Sequence, residues 1–121
     1  MNAKTIGTTL FAALLLLVTS CGQQHTAEGL VSDFIETNAL HPEKMIEREF
    51  QRLDSTRFVN DSAISVMQAK ENDLFKSDIS YEVATAGQKL YYLRVKYVYE
   101  GDTIRNTFYL DEQLEHVVSF K

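Results

Sequence analysis

The stretch 90–110 constrains this chain more than any other. Two alternating runs, 90–99 and 103–110, meet at Glu100-Gly101-Asp102-Thr103. A period of two puts Tyr91, Leu93, Val95, Tyr97 and Tyr99 on one side of the first run, with Leu90, Tyr92, Arg94, Lys96 and Val98 on the other. Glycine at the first position of a two-residue turn is a hairpin signal. A Gly101-Asp102 turn pairs Glu100 with Thr103. Tyr99 then faces Ile104, Tyr97 faces Asn106, Val95 faces Phe108 and Leu93 faces Leu110. The opposite face pairs Val98 with Arg105, Lys96 with Thr107 and Arg94 with Tyr109. Turn chemistry and alternation therefore agree on one inner face.

Flanking strands follow from three-residue loops. Across Ala86-Gly87-Gln88, Val83 meets Tyr91, Tyr81 meets Leu93 and Ile79 meets Val95, while Asp78 meets Lys96 outside. Across Asp111-Glu112-Gln113, Leu110 meets Leu114, Phe108 meets His116, Asn106 meets Val118 and Ile104 meets Phe120. A two-residue loop there would expose Leu114, Val118 and Phe120, which disfavours it. The expected strands are about 77–85, 89–99, 103–110 and 114–120.

The preceding part reads as helix. Leu30, Val31, Phe34 and Ile35, closed by Ala39 or Leu40, stripe one face of a helix over 27–40, with Thr26 as N-cap. Pro42 suits the first position of a second helix over 42–53, with Met45, Ile46, Phe50 and Leu53 inward. That helix carries like-charge neighbours at Glu43–Glu47 and Lys44–Arg48. Asn60 or Asp61 caps a third over 61–71, with Ala63, Ile64, Val66 and Met67 inward. The fold class is α+β, a single domain over 27–121. Two or three N-terminal helices pack on one face of a four-stranded antiparallel meander, in two layers.

Ahead of the domain, Met1-Asn2-Ala3-Lys4 is a short positive start and Ile6 to Val18 an apolar run, too short to span a bilayer. Val18-Thr19-Ser20-Cys21 closes it: an aliphatic residue, two small ones, then the chain's one cysteine. These residues resemble the signal and lipobox of a bacterial lipoprotein. The resemblance implies that residues 1–20 are a signal peptide removed before Cys21. It also implies diacylglycerol on the Cys21 sulfur and a further chain, such as palmitate, on its new amino group. Two or three acyl chains anchor stably, since each buried methylene adds about 0.8 kcal/mol. The mature protein would then sit in the cell envelope, facing the periplasm. Gly22 stands where that family often carries an inner-membrane Asp, which favours the outer membrane. Residues 21–26 form the lipidated cysteine and a short tether. The order of helices followed by a meander is, in architecture alone, similar to the cystatin-like and NTF2-like domains, which often enclose a pocket between helices and sheet.

The chain has a net charge of −5, and all 17 acidic residues follow Cys21. A domain without a basic cluster is poorly suited to nucleic acid, where phosphate contacts dominate affinity. His25, His41 and His116 show no metal-ligand spacing, and no cofactor motif is present. No nucleophile elbow or phosphate loop occurs, and lipidation would remove the only thiol. No catalytic residue is therefore assigned. The derived register does place Tyr97, Asn106 and His116 on the inner face as polar groups of a candidate pocket. Tyr92, Arg94 and Tyr109 form a candidate exposed patch for an envelope protein or peptide partner. The reading is a lipid-anchored, non-catalytic binding or structural module. The alternatives are an NTF2-like pocket protein, either a small-ligand binder or a small enzyme, and an inhibitor or immunity-type lipoprotein.

Overall fold

The hairpin forms the centre of the molecule. The computed structural model describes the backbone of residues 3–81 and 89–121, and the side chains of residues 21–81 and 89–121. Among these, the elements run α1 (Ala3–Asn38), a 3-10 turn (Pro42–Lys44), β1 (Ile46–Phe50), β2 (Asp54–Thr56), α2 (Asp61–Ala69), β3 (Leu90–Tyr99), β4 (Asp102–Leu110) and β5 (Val117–Phe120). The fold is α+β, with a five-stranded antiparallel sheet in the order β1-β3-β4-β5 and β2 also paired to β3.

The hairpin turns one residue earlier than the sequence suggests. Glu100 and Gly101 occupy the turn with φ of 49° and 86°, both left-handed, as the mirror-image type I turn requires. Tyr99 therefore pairs with Asp102, Tyr97 with Ile104, Val95 with Asn106, and Leu93 with Phe108. The slip is two residues, an even number, so each side chain keeps its expected face. Glu100 tolerates its left-handed position while its carboxylate holds Lys44 Nζ at 3.2 Å.

The expected helix over 42–53 is instead the 3-10 turn followed by β1 and β2. Its apolar residues have helical spacing because a bulge interrupts the strand. Glu47 has φ of 54°, and the β1–β3 register shifts between Ile46 and Glu49. The charges explain the preference. A helix would set Glu43 beside Glu47 and Lys44 beside Arg48. In the observed turn and strand, Lys44 reaches Glu100, Arg48 reaches Glu36 at 3.2 Å, and Glu49 reaches Lys96 at 3.1 Å. Arg48 also donates to the carbonyls of Met45 and Pro42, both at 2.9 Å.

β1 and β2 hold the edge of β3 that the expected strand over 77–85 would have taken. Residues 77–81 are not strand, and 82–85, with Val83, lie outside the described residues, as does the Ala86-Gly87-Gln88 loop. Lys96 accordingly pairs with Glu49, not Asp78. The chain around Phe75 meets the end of α1 through Leu40 N to Leu74 O (3.0 Å) and Lys76 N to Asn38 O (2.9 Å). Ile79 and Tyr81 still pack against the inner core.

α1 lies on the inner face. Ala27, Val31 and Ile35 are fully buried at helical spacing, against Leu93, Val95, Phe108, Leu110 and Phe120. Each large aliphatic side chain so buried contributes about 1.5–3 kcal/mol. Residues 21–26, expected to be the lipidated cysteine and tether, belong to this helix, so Thr26 is not its cap. Gln24 docks it: its Nε2 donates to Gln51 O at 2.9 Å, and its Oε1 accepts from Leu53 N at 2.6 Å. That amide satisfies backbone groups in the gap between β1 and β2.

α2 does not join α1 on the inner face. Asn60 caps it, its Oδ1 accepting from Ala63 N at 2.9 Å. The helix covers part of the opposite face, where Ile64 packs with Leu90, Tyr109 and Val118. The expected two layers are thus three, with the sheet in the middle. Ala63 and Val66, expected inward, are exposed, while Met67 is half-buried.

Candidate functional site

The three inner-face polar residues do not converge. Tyr97 and Asn106 are diagonal neighbours on β3 and β4. Tyr97 Oη donates to Asn106 Oδ1 at 2.6 Å, and Asn106 Nδ2 donates to Lys121 O at 3.3 Å. Both side chains are buried, and burial pushes the Tyr97 hydroxyl up to about 12 despite the positive charge of Arg48. It is held as a hydrogen-bond donor and is poorly placed to act as a base near neutral pH. Phe34 packs partly buried on the same core and meets Phe108 and Phe120 edge-on, with ring centroids 5.8 and 5.6 Å away.

His116 stands elsewhere, because β5 begins at Val117 and not at Leu114. Phe108 pairs with Phe120, Tyr109 with Ser119, and Leu110 with Val117 across a bulge. Residues 111–116 form a longer loop organised by Asp111. Its Oδ1 accepts from Glu115 N (2.7 Å) and His116 N (3.1 Å), and its Oδ2 lies 3.0 Å from His116 Nδ1. Leu114 takes φ of 55° within this loop. An aspartate bonding backbone N–H groups downstream is a recognised turn device, and was the available sequence signal. His116 lines a shallow, open depression of about 250 Å³ with Asp33, Phe34, Ser80 and Glu115.

Burial alone would raise the Asp111 carboxyl, but the Glu115 and His116 N–H groups and the His116 ring together hold it below its ordinary value. Its stabilisation is therefore complete above the ordinary value of 3.8 and is lost as pH falls through the lower folded value. Asp111→Asn keeps an acceptor but cannot ionise. Urea midpoints from neutral pH down to about pH 2 should fall less steeply for the variant than for wild type at the acid end. Parallel curves would remove Asp111 as the source.

The outer patch is only partly exposed as expected. Arg94 is exposed and its guanidinium stands 5.4 Å from the Tyr92 ring centroid. Tyr109, expected outside, is buried beneath α2, with its ring 6.2 Å from that of Tyr92. A narrow recess of about 220 Å³ lies over this patch, bounded also by Thr56, Val59, Thr107 and Lys121.

Cys21 is exposed on α1. It borders an open groove of about 810 Å³ between the helix and the β1–β2 connection, with Gln24, Phe50, Arg52 and Tyr91 among its walls. Gln24 is the residue here that sequence reasoning missed. Among the described residues, no group of three or more His, Cys, Asp or Glu gathers as a metal site. Comparison with protein-family models, curated proteins and solved structures found no match to this chain.

Proposed function

We propose that this chain is a lipid-anchored, non-catalytic binding module of a bacterial cell envelope, held at a membrane through Cys21. The observation that carries the reading is the position of Cys21. It is exposed, directly follows Val18-Thr19-Ser20, and precedes by three residues the Gln24 clamp that docks α1 onto the sheet. Cleavage before Cys21 would retain the Gln24 clamp and the buried Ala27, Val31 and Ile35 of the helix. It would also make the lipidated residue the first of the helix. Ala27, the first fully buried residue among those whose side chains are described, lies six positions on, a rise of about 9 Å along the axis. The domain would then stand rigidly against the lipid surface. Gly22 supports the outer membrane as its site.

Three features support binding over catalysis. Tyr97 and Asn106 bond to each other inside the core, His116 stands in a separate loop, and the cavities described here are open. Cys21→Ala should shift the protein from the membrane pellet to the soluble or signal-retaining fraction, with incorporation of labelled palmitate abolished. Continued palmitate labelling of the variant would sink the lipoprotein reading.

A further inference from the structure

The outer face of the sheet carries charge of the opposite sign to the chain. The observed register places Arg94 beside Thr107 and Lys96 beside Arg105. Thr107 and Lys121 exchange backbone hydrogen bonds at 2.8 and 3.0 Å, which sets Lys121 on the same face. Four cations therefore share a small area of a molecule with a net charge of −5. Lys96 directly opposite Arg105 is a like-charge pair, which destabilises a sheet. Glu49 on Lys96 and Asp54, which accepts from Tyr92 Oη at 3.2 Å, border the area on the β1–β2 side. Among the described residues, Arg94, Arg105 and Lys121 make no ion pair. Arg94 and Lys121 stand over the rings of Tyr92 and Tyr109 instead.

Beside these cations α2 leaves an apolar cleft of about 420 Å³, lined by Val59, Ala63, Val66, Met67, Tyr109 and Lys121. It shares Val59, Tyr109 and Lys121 with the recess over Tyr92 and Arg94, so the two are neighbours. Val66 is 68% exposed, and Phe58, next to Val59 in the chain, is 96% exposed. Cations with no ion pair among the described residues thus adjoin bare apolar surface.

We propose that this face binds an acidic segment of a partner protein. Carboxylates would meet Arg94, Arg105 and Lys121, and one large apolar side chain would fill the cleft between α2 and Tyr109. Charge complementarity selects the acidic partner. The adjoining cleft calls for a side chain, which a phosphate backbone does not offer, and Glu49 and Asp54 would repel a continuous polyanion. α1, which carries Cys21, packs on the other face of the sheet, so a bilayer at Cys21 leaves this one free. The proposal rests on reading the domain as a binding module and is independent of lipidation.

The test is a titration of the full chain in neutral detergent with a labelled nonapeptide, EAEAFAEAE, against versions with Gln for Glu or Ser for Phe. Each replacement should weaken binding at least about tenfold. Arg94→Glu with Arg105→Glu should do the same, as should Val66→Asp alone. Arg105→Glu faces Lys96 with an opposite charge, so melting of the double variant should stay near wild type and confirm its fold. No binding of the acidic peptide, equal binding of the Gln peptide, or full binding by the double variant would overturn the proposal. Preference for phosphatidylglycerol vesicles over the peptide would also overturn it and assign the face to lipid headgroups. Cys21→Ala should leave peptide binding unchanged, so failure of anchoring and failure of this proposal are read separately.

Discussion

Phe108→Ala should lower unfolding free energy by about 3–5 kcal/mol, a large part of the 5–15 kcal/mol typical of a domain. Phe108 is fully buried at the centre of the inner face. It pairs with Leu93 on one side and Phe120 on the other. Its ring stacks on Phe120 at 5.4 Å and 15°, and meets Phe34 of α1 edge-on. Phe75 closes on Phe120 at 4.5 Å. Truncation would therefore open a cavity where α1, the sheet and the segment after α2 meet. Rings held in mutual contact cannot all collapse into the space, which places the cost toward the upper end of the range. Phe108→Leu, which keeps most of the volume, should cost far less. Urea unfolding followed by circular dichroism measures both. A Phe108→Ala cost below about 1 kcal/mol would contradict this packing.

The second large effect concerns Tyr97 and Asn106. Tyr97→Phe removes the donor to Asn106 Oδ1 and should cost about 1–3 kcal/mol, because a buried amide oxygen loses its partner. Asn106→Leu should cost a similar amount by stranding the Tyr97 hydroxyl. The carbonyl of Lys121 loses the Asn106 donor in that variant but keeps the Thr107 N–H. The double variant should be more stable than the two single costs predict, since neither polar group remains to be stranded. Additive costs would mean that the two side chains act separately and would reopen the reading of a polar pocket.

The hairpin faces were legible because alternation survives an even slip. The register was not, because Glu100-Gly101 and Gly101-Asp102 both satisfy a two-residue turn. Choosing between them requires knowing that Glu100 adopts a left-handed φ. The same slip concealed the cation cluster: Lys96 faces Arg105 only in the observed pairing. β1 has the sequence pattern of a helix because its bulge at Glu47 mimics helical spacing. The like-charge neighbours at 43–47 and 44–48 were the contrary local signal. α2 was placed in sequence but assigned to the wrong face. Leu90 and Tyr109 look like isolated apolar residues on a polar face, and Val118 is expected opposite Asn106 on the inner face, until the bulge between Tyr109 and Leu110 sets it with them. His116 was assigned to the core by that missed loop. The Gln24 clamp had no local signature, since both its partners lie in the gap between two strands.

Mass analysis of the membrane-extracted protein tests the central claim most directly. The predicted N-terminal proteolytic fragment begins at Cys21 and carries diacylglycerol on sulfur, together with an acyl chain if the amino group is also modified. A fragment with unmodified Cys21, whether still joined to residues 1–20 or cleaved elsewhere, would contradict the account.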